Sequence, residues 1–600
     1  MLSRCRFSLA AALRPLLVTG AVLAVTACGG GGGGDTEMPP GGGGDGNPSG
    51  AVMISGKAQY QFPPPVPVCR GLDFAAVELR PIRQATVQLL AATGNTVLDT
   101  AITDDDGEFS LSADPETRVL IRVRAELKKT GTPSWDVEVR DNTTTETAAG
   151  APLSLPERPL YVLDSAAFDT GTSDQTHDVT ATTGWSASQN RYTGTRAAAP
   201  FAVLDTVYSA IRLVQTAEPE VAFEPLDVFW SVNNRAADGS VDDGDIGTSH
   251  YQPGVRRLFL LGSAANDPDE FDDHVVAHEW GHFYEDAFSR SDSIGGDHML
   301  GDSLDMRVAF GEGWATALSG MALDNPTYCD TTLDNGFAIN IEGGANGTPG
   351  WFNEISVMKV IYDLWDENID GVDSGSLGFE PIHAVMTEQQ AATPAFTSIF
   401  SFADALRVQD PAGATLLDAL LAAEQISGTD LFGGGEANHG GAGTPEDVLP
   451  VYTEVAPDGV TREICSNSEF DAGPGGDATG NKLGEHRFLR MTLTRAAQYH
   501  FEIITNDNTD LPADDPNVDN DQSDPDILIQ LNGVEQNAPV TGGNPQGFSP
   551  EANHEIFTTS NVLEPGEYVL ALTEFRYDDP ETPQDYPART CFDVTITEAL

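Results

Sequence analysis

The sequence predicts a multidomain chain in which a central α+β domain is flanked on both sides by all-β sandwich domains. Short alternating apolar and polar runs, separated by Asp-Gly and Thr-Gly-Asn turns, fill residues 51–150, and alternation returns after about residue 460. Between them, residues 198–214, 271–288 and 306–321 carry apolar side chains at helical spacing. At 600 residues and 40% hydrophobic content, the chain is too long for one core and rich enough for several.

The chain carries 31 Lys and Arg against 92 Asp and Glu, a net charge of −61. A field of that sign repels nucleic acid over a Debye length, so no nucleic-acid partner is expected. At the start, Arg4 and Arg6 precede an apolar stretch from Leu16 to Val25 and then Val25-Thr26-Ala27-Cys28, the pattern of an export signal over residues 1–27. Its end resembles the lipobox of bacterial lipoproteins. That resemblance implies acylation of Cys28 and anchoring in a membrane through the lipid. Because Gly29 stands where an aspartate would favour inner-membrane retention, it also implies the outer membrane or cell surface. Residues 28–50, mostly Gly with Pro, Asp and Asn, form a flexible tether, since they cannot bury enough apolar area to offset their ordering entropy.

In the segment 51–150, Ala85–Leu90, Thr96–Ile102 and Thr103–Leu111 read as strands of a small sandwich. The run "ATVQLL…TAITDDDGEFSL" resembles carboxypeptidase-regulatory-like and collagen-binding B-type domains, which implies a stalk. The segment 151–455 holds the helix Ala198–Val214, the strands Leu226–Trp230 and Arg257–Leu261, and the helix Phe271–Phe288. From residue 460 to 600, strands are expected at Arg487–Leu493, Tyr499–Ile504, Asp526–Leu531 and Tyr568–Leu572. Here "LEPGEYVLAL" before "CFDVTIT" resembles the pre-peptidase C-terminal domain. The acid-rich run Asp514–Asp526 makes Ca²⁺ a second candidate cofactor, against the plainer reading of a solvated loop without EF-hand spacing.

Outside the signal and the lipidation site, four cysteines remain in a compartment that favours disulfides. Cys465 and Cys591 lie at opposite ends of one domain and are expected to pair, which leaves Cys69 with Cys329.

The segment His278-Glu279-Trp280-Gly281-His282 places two imidazoles on one helical face, with a carboxylate beside them. A chance match to this pattern in so histidine-poor a chain is on the order of one in a hundred. Zinc suits such ligands, and a catalytic zinc needs a third protein ligand and an open position. Thirty residues past His282, Glu312 sits in Phe310-Gly311-Glu312-Gly313-Trp314-Ala315, an apolar and Gly-rich helical stretch where a charge needs a reason. Here the chain resembles the Glu-zincin metallopeptidases, and within them "GEGW" resembles the fungalysins. The resemblance implies one catalytic Zn²⁺ on His278, His282 and Glu312. It also implies Glu279 as the base that activates water for hydrolysis of a polypeptide substrate, and a His or Tyr as oxyanion donor, for which His383 and Tyr362 are nominated. In fungalysins an aspartate four residues after the glutamate orients the first histidine. This chain has Thr316 there, so Asp302 and Asp305 are considered as replacements.

Other residues near the motif are read more plainly. His274 lies one turn before His278, too far along one helix to join the same ion, and is expected to be exposed or to support a ligand. His298 reads as a surface-loop histidine that could line a cleft. Arg257–Leu261 matches the position of the edge strand that binds extended peptide in zincins, and the helix Trp351–Trp365 is expected to form the far wall. Within it, Asn353 and Glu354 are candidates for holding a substrate terminus, or simply for capping the helix. Two other functions keep the same metal residues: a zinc hydrolase of nonpeptide amides, and a surface adhesin with a structural zinc.

Overall fold

A computed structural model describes residues 50–599 apart from 266, 333–334, 344–346, 370, 373, 472–478, 507–522, 537–553 and 579–585. The signal, Cys28, the tether up to residue 49 and most of the acidic run after Asp514 lie outside the described residues. No described helix is long and apolar enough to cross a membrane.

The described residues form several β-sheets and a set of helices. β1 (Val52–Phe62) alternates buried and less buried positions along its length, as a strand with one face on a core must. It pairs antiparallel with β4 (Glu108–Ala113) in a five-stranded sheet. The strands β2 (Ala85–Ala91), β3 (Val97–Ile102), β5 (Arg118–Lys129) and β6 (Trp135–Arg140) belong to a different, nine-stranded sheet. That sheet continues without a break into β7 (Leu226–Trp230), β9 (Arg257–Leu260) and β8 (His250–Gln252), in the order β8-β9-β7-β6-β5-β2-β3. The join is the parallel pairing of β6 with β7, Leu226 opposite Val137 and Phe229 opposite Arg140. The strands of 51–150 therefore do not stand apart from 151–455 as an independent sandwich. Ser134 and Ala222 extend the same contact as a parallel bridge.

Helices pack on this sheet. In α1 (Ala199–Ala217), Phe201, Leu204, Val207, Tyr208 and Ile211 are buried, matching the helical spacing of the sequence. α2 (Asp273–Phe288) and α3 (Met306–Leu323) follow. α3 is apolar nearly all round, the composition of a helix enclosed by others; α2 covers one side and α4 (Glu354–Trp365) another. Between α3 and α4 a hairpin forms from β10 (Thr327–Thr331) and β11 (Gly336–Asn340). A disulfide from Cys329 on β10 to Cys69 ties the hairpin to the segment after β1.

The C-terminal part is a sandwich. One sheet has the order β12-β14-β19-β16-β17, from Tyr452–Val455, His486–Leu493, Gly566–Glu574, Pro525–Leu531 and Val534–Glu535. The other has the order β13-β20-β15-β18, from Arg462–Asn467, Arg589–Glu598, Tyr499–Thr505 and His554–Thr558. Cys465 and Cys591 face each other across β13 and β20 and are bonded. Alternation along β14 and β19 serves two cores: Leu489, Met491, Leu570 and Leu572 face the second sheet, while Phe488, Val569 and Ala571 join the large cluster of the helical body.

Candidate metal centre

Two close helix contacts bring the site together. A Cβ on Gly281 would lie 2.8 Å from Cα of Ala315, so α2 and α3 meet at a distance only glycine permits. Gly313 does the same for α4, where a Cβ would lie 2.6 Å from Val357 and 2.8 Å from the Glu354 carbonyl oxygen. The α3 helix starts on Asp305, whose side chain accepts from the Arg307 backbone N–H at 2.9 Å and pairs with the Arg307 guanidinium at 2.8 Å. Breaking a buried pair of this kind costs about 3–5 kcal/mol, so the start of α3 is fixed and Glu312 with it.

His278 Nε2 and His282 Nε2 lie 3.2 Å apart. Glu312 Oε2 lies 3.2 Å from the first and 3.5 Å from the second. Four ligands at about 2.1 Å around a tetrahedral zinc are separated by about 3.4 Å, so the three atoms stand at the edge lengths of such a site. The donor chemistry agrees. His278 Nδ1 is 3.0 Å from Thr316 Oγ1; a proton on Nδ1 donated to the hydroxyl leaves the Nε2 lone pair for an ion. Thr316, and neither Asp302 nor Asp305, is the partner found at His278 Nδ1. Asp305 is engaged with Arg307, and Asp302 lies 3.7 Å from Lys482 Nζ.

Without an ion, protons do the balancing. Burial pulls the His282 imidazole down, but Glu312, Glu279 and Glu285 outweigh it and push its pKa up to about 9. Burial raises the Glu312 carboxyl, while His282 and His298 hold it well below the usual carboxylate range. Burial of His278 lowers its pKa. Glu279 is only 8% exposed. Burial, with the charge of Glu312, pushes its carboxyl up to about 8, although His282 and a hydrogen bond from the Tyr251 backbone N–H pull the other way.

The other nominated residues fall elsewhere. His383, on α5 (Phe379–Ala384), is buried with Nδ1 2.7 Å from the Tyr284 hydroxyl and Nε2 3.2 Å from Glu218. Tyr362 is buried against Trp365 and the Gly320 backbone. Both are core side chains, and the structure brings neither to the cluster. His274 is buried, not exposed, and bonds the Asn325 carbonyl at 3.0 Å. Asn353 caps α4 by accepting from the Ile355 N–H. The expected edge strand Arg257–Leu261 is interior, because β8 folds back on it, Tyr251 opposite Leu258; β8 is the edge and its Tyr251 donates to Glu279.

Two further side chains stand beside the cluster. The ring of Tyr328, on β10, stands 6.2 Å from that of His278. His298 Nε2 lies 3.7 Å from Glu312 Oε2 and 3.8 Å from Glu354 Oε2; the pattern Gly295-Gly296-Asp297-His298, a histidine directly after a glycine turn, was the available signal. Nearby, one oxygen each of Asp267, Asp269 and Asp330 lie within 4.8 Å of one another.

No protein-family model matches the sequence, and no curated protein matches it. Among solved structures, the chain is similar to the pre-peptidase C-terminal domain of a collagenase from Bacillus anthracis, at 9% identity, 24% of this chain, 94% of that one and a TM-score of 0.14. It is also similar to a candidate carbohydrate-binding protein from Pseudomonas aeruginosa, at 13% identity, 22% of this chain, 88% of that one and a TM-score of 0.12. Scores this low carry no argument about what the chain does.

Proposed function

We propose that this chain is a zinc-dependent endopeptidase of the Glu-zincin type, with a zincin fold around α2 and α3, held at the cell envelope by a lipid on Cys28. The observation that supports it most is the convergence of His278 Nε2, His282 Nε2 and Glu312 Oε2, 3.2–3.5 Å apart, from two neighbouring helices. A zinc held by these groups supplies Lewis acidity to water and to a substrate carbonyl at its open position.

The chain's own residues do the rest. Thr316 keeps the His278 ring oriented and its proton on Nδ1. Glu279, in its ionised form, takes the proton of the attacking water and delivers it to the nitrogen of the departing amine. Burial favours the neutral acid between these two transfers, which suits a group that must both accept and return a proton. Extended polypeptide runs along β8, the edge strand among the described residues, with alternate side chains read by pockets on either side.

The decisive experiment compares wild type with Glu279→Gln for zinc content and casein hydrolysis. The variant is expected to keep its zinc and to lose about 10²–10⁴-fold in rate. A zinc-loaded wild type that cleaves nothing in a broad peptide library would sink the reading and leave a structural zinc.

A further inference from the structure

His298, Glu312 and Glu354 converge beside the first cluster. One ligand atom of each lies within 4.8 Å of the others, with His298 Nε2 at 3.7 Å from Glu312 Oε2 and 3.8 Å from Glu354 Oε2. These separations are too long for hydrogen bonds. The centre of such a triangle lies about 2.1–2.4 Å from each corner, the bond length of a divalent cation to imidazole and carboxylate.

Three further observations point to a cation there. His298 Nδ1 is 3.1 Å from the Gly296 carbonyl oxygen, which can only accept, so Nδ1 carries the proton and Nε2 is the atom turned to the two carboxylates. This is the backbone-anchored tautomer of a metal-ligating histidine. Glu354 is 4% exposed, and its Oε1 has no hydrogen-bond partner; a buried carboxylate oxygen left bare costs stability unless a ligand meets it. The nearest ammonium, Lys482 Nζ, is already bonded to Asp297 O, Thr479 Oγ1 and Asn481 Oδ1 at 2.9, 2.8 and 2.6 Å.

We infer that His298 and Glu354 hold a second divalent cation of the zinc class, which shares Glu312 with the first. This rests on the proposed function, since Glu312 serves both ions. Mixed imidazole and carboxylate ligands suit zinc or manganese better than calcium. A paired centre of this kind holds its ions about 3.5–4 Å apart and stabilises both the attacking oxygen and the leaving group.

The test uses the full chain, stripped of metal, titrated with Zn²⁺ and measured for bound zinc after desalting, beside His298→Ala and the near-isosteric Glu354→Gln, with circular dichroism to confirm folding. Two equivalents in wild type and one in both variants are expected, together with an X-ray absorption signal from a zinc neighbour at about 3.5–4 Å in wild type alone. One equivalent in wild type overturns the second site and leaves the first. None overturns both. Two equivalents retained in both variants also overturn it, since the second ion then sits elsewhere, for example at Asp267, Asp269 and Asp330.

Discussion

At the scale of single residues, the centre depends on how protons are placed before any ion arrives. Thr316 donates no charge, yet its hydroxyl holds the His278 proton on Nδ1. Thr316→Val keeps the shape and removes that acceptor; zinc affinity, measured by competition with a chelator, is expected to fall about 10–100-fold. Thr316→Asp, which offers Nδ1 a carboxylate acceptor instead, is expected to keep it. Glu279 gives a second prediction. Its folded pKa of about 8 lies above the value in an unfolded chain, so the metal-free protein loses stability from this group as pH rises from about 4 to 8 and is destabilised fully above it. Glu279→Gln therefore raises the melting temperature of the metal-free form at pH 9 and leaves it nearly unchanged at pH 4, as differential scanning calorimetry can read.

At the scale of elements, the hairpin β10–β11 and the turn before α2 confront each other through aspartates. Burial pushes Asp267 up to about 7, with Asp330 adding repulsion, and burial pushes Asp330 up to about 6. Burial also raises Asp272, which accepts from the Thr331 N–H and hydroxyl at 2.9 Å, and Asp269. These raised values stabilise the fold below about pH 4 and penalise it as pH climbs through 6 to 7. Asp330→Asn, measured in chelator, is expected to gain on the order of 1 kcal/mol, or about 1–3 °C, at pH 8 and nothing at pH 4. The sequence carried the helices of the site well. His278 and His282 share a face by spacing alone, and Glu312 stood out because an apolar helix has little use for a charge. It could not show that β2, β3, β5 and β6 would join the central sheet, because alternation with a period of two looks the same in a free sandwich and in an extended one. Nor could three residues of β8 announce an edge strand. His383 and Tyr362 looked chemical only because His and Tyr are chemically able; packing against Tyr284 and Trp365 decides what they do.

Across the whole molecule, the C-terminal sandwich reaches the candidate centre. Asn481 Nδ2 bonds the carbonyl oxygens of Gly295 and Asp297 at 2.9 and 3.3 Å, and Lys482 Nζ bonds the latter at 2.9 Å. The loop that carries His298 is thus held from 184–186 positions away in sequence. Asn481→Ala, which removes two hydrogen bonds of about 0.5–1.5 kcal/mol each, is expected to speed amide hydrogen exchange across residues 295–298 about tenfold while exchange in α2 stays unchanged. The unbroken sheet has its own consequence for maturation. β5 and β6 lie inside it, between β2 and β7, so a protease that cuts near residue 150 leaves both fragments hydrogen-bonded along their length. The first hundred folded residues are thus built into the same body and are also tied to the rest by Cys69–Cys329, so cleavage would yield a nicked complex that survives gel filtration and separates only in denaturant with a reducing agent.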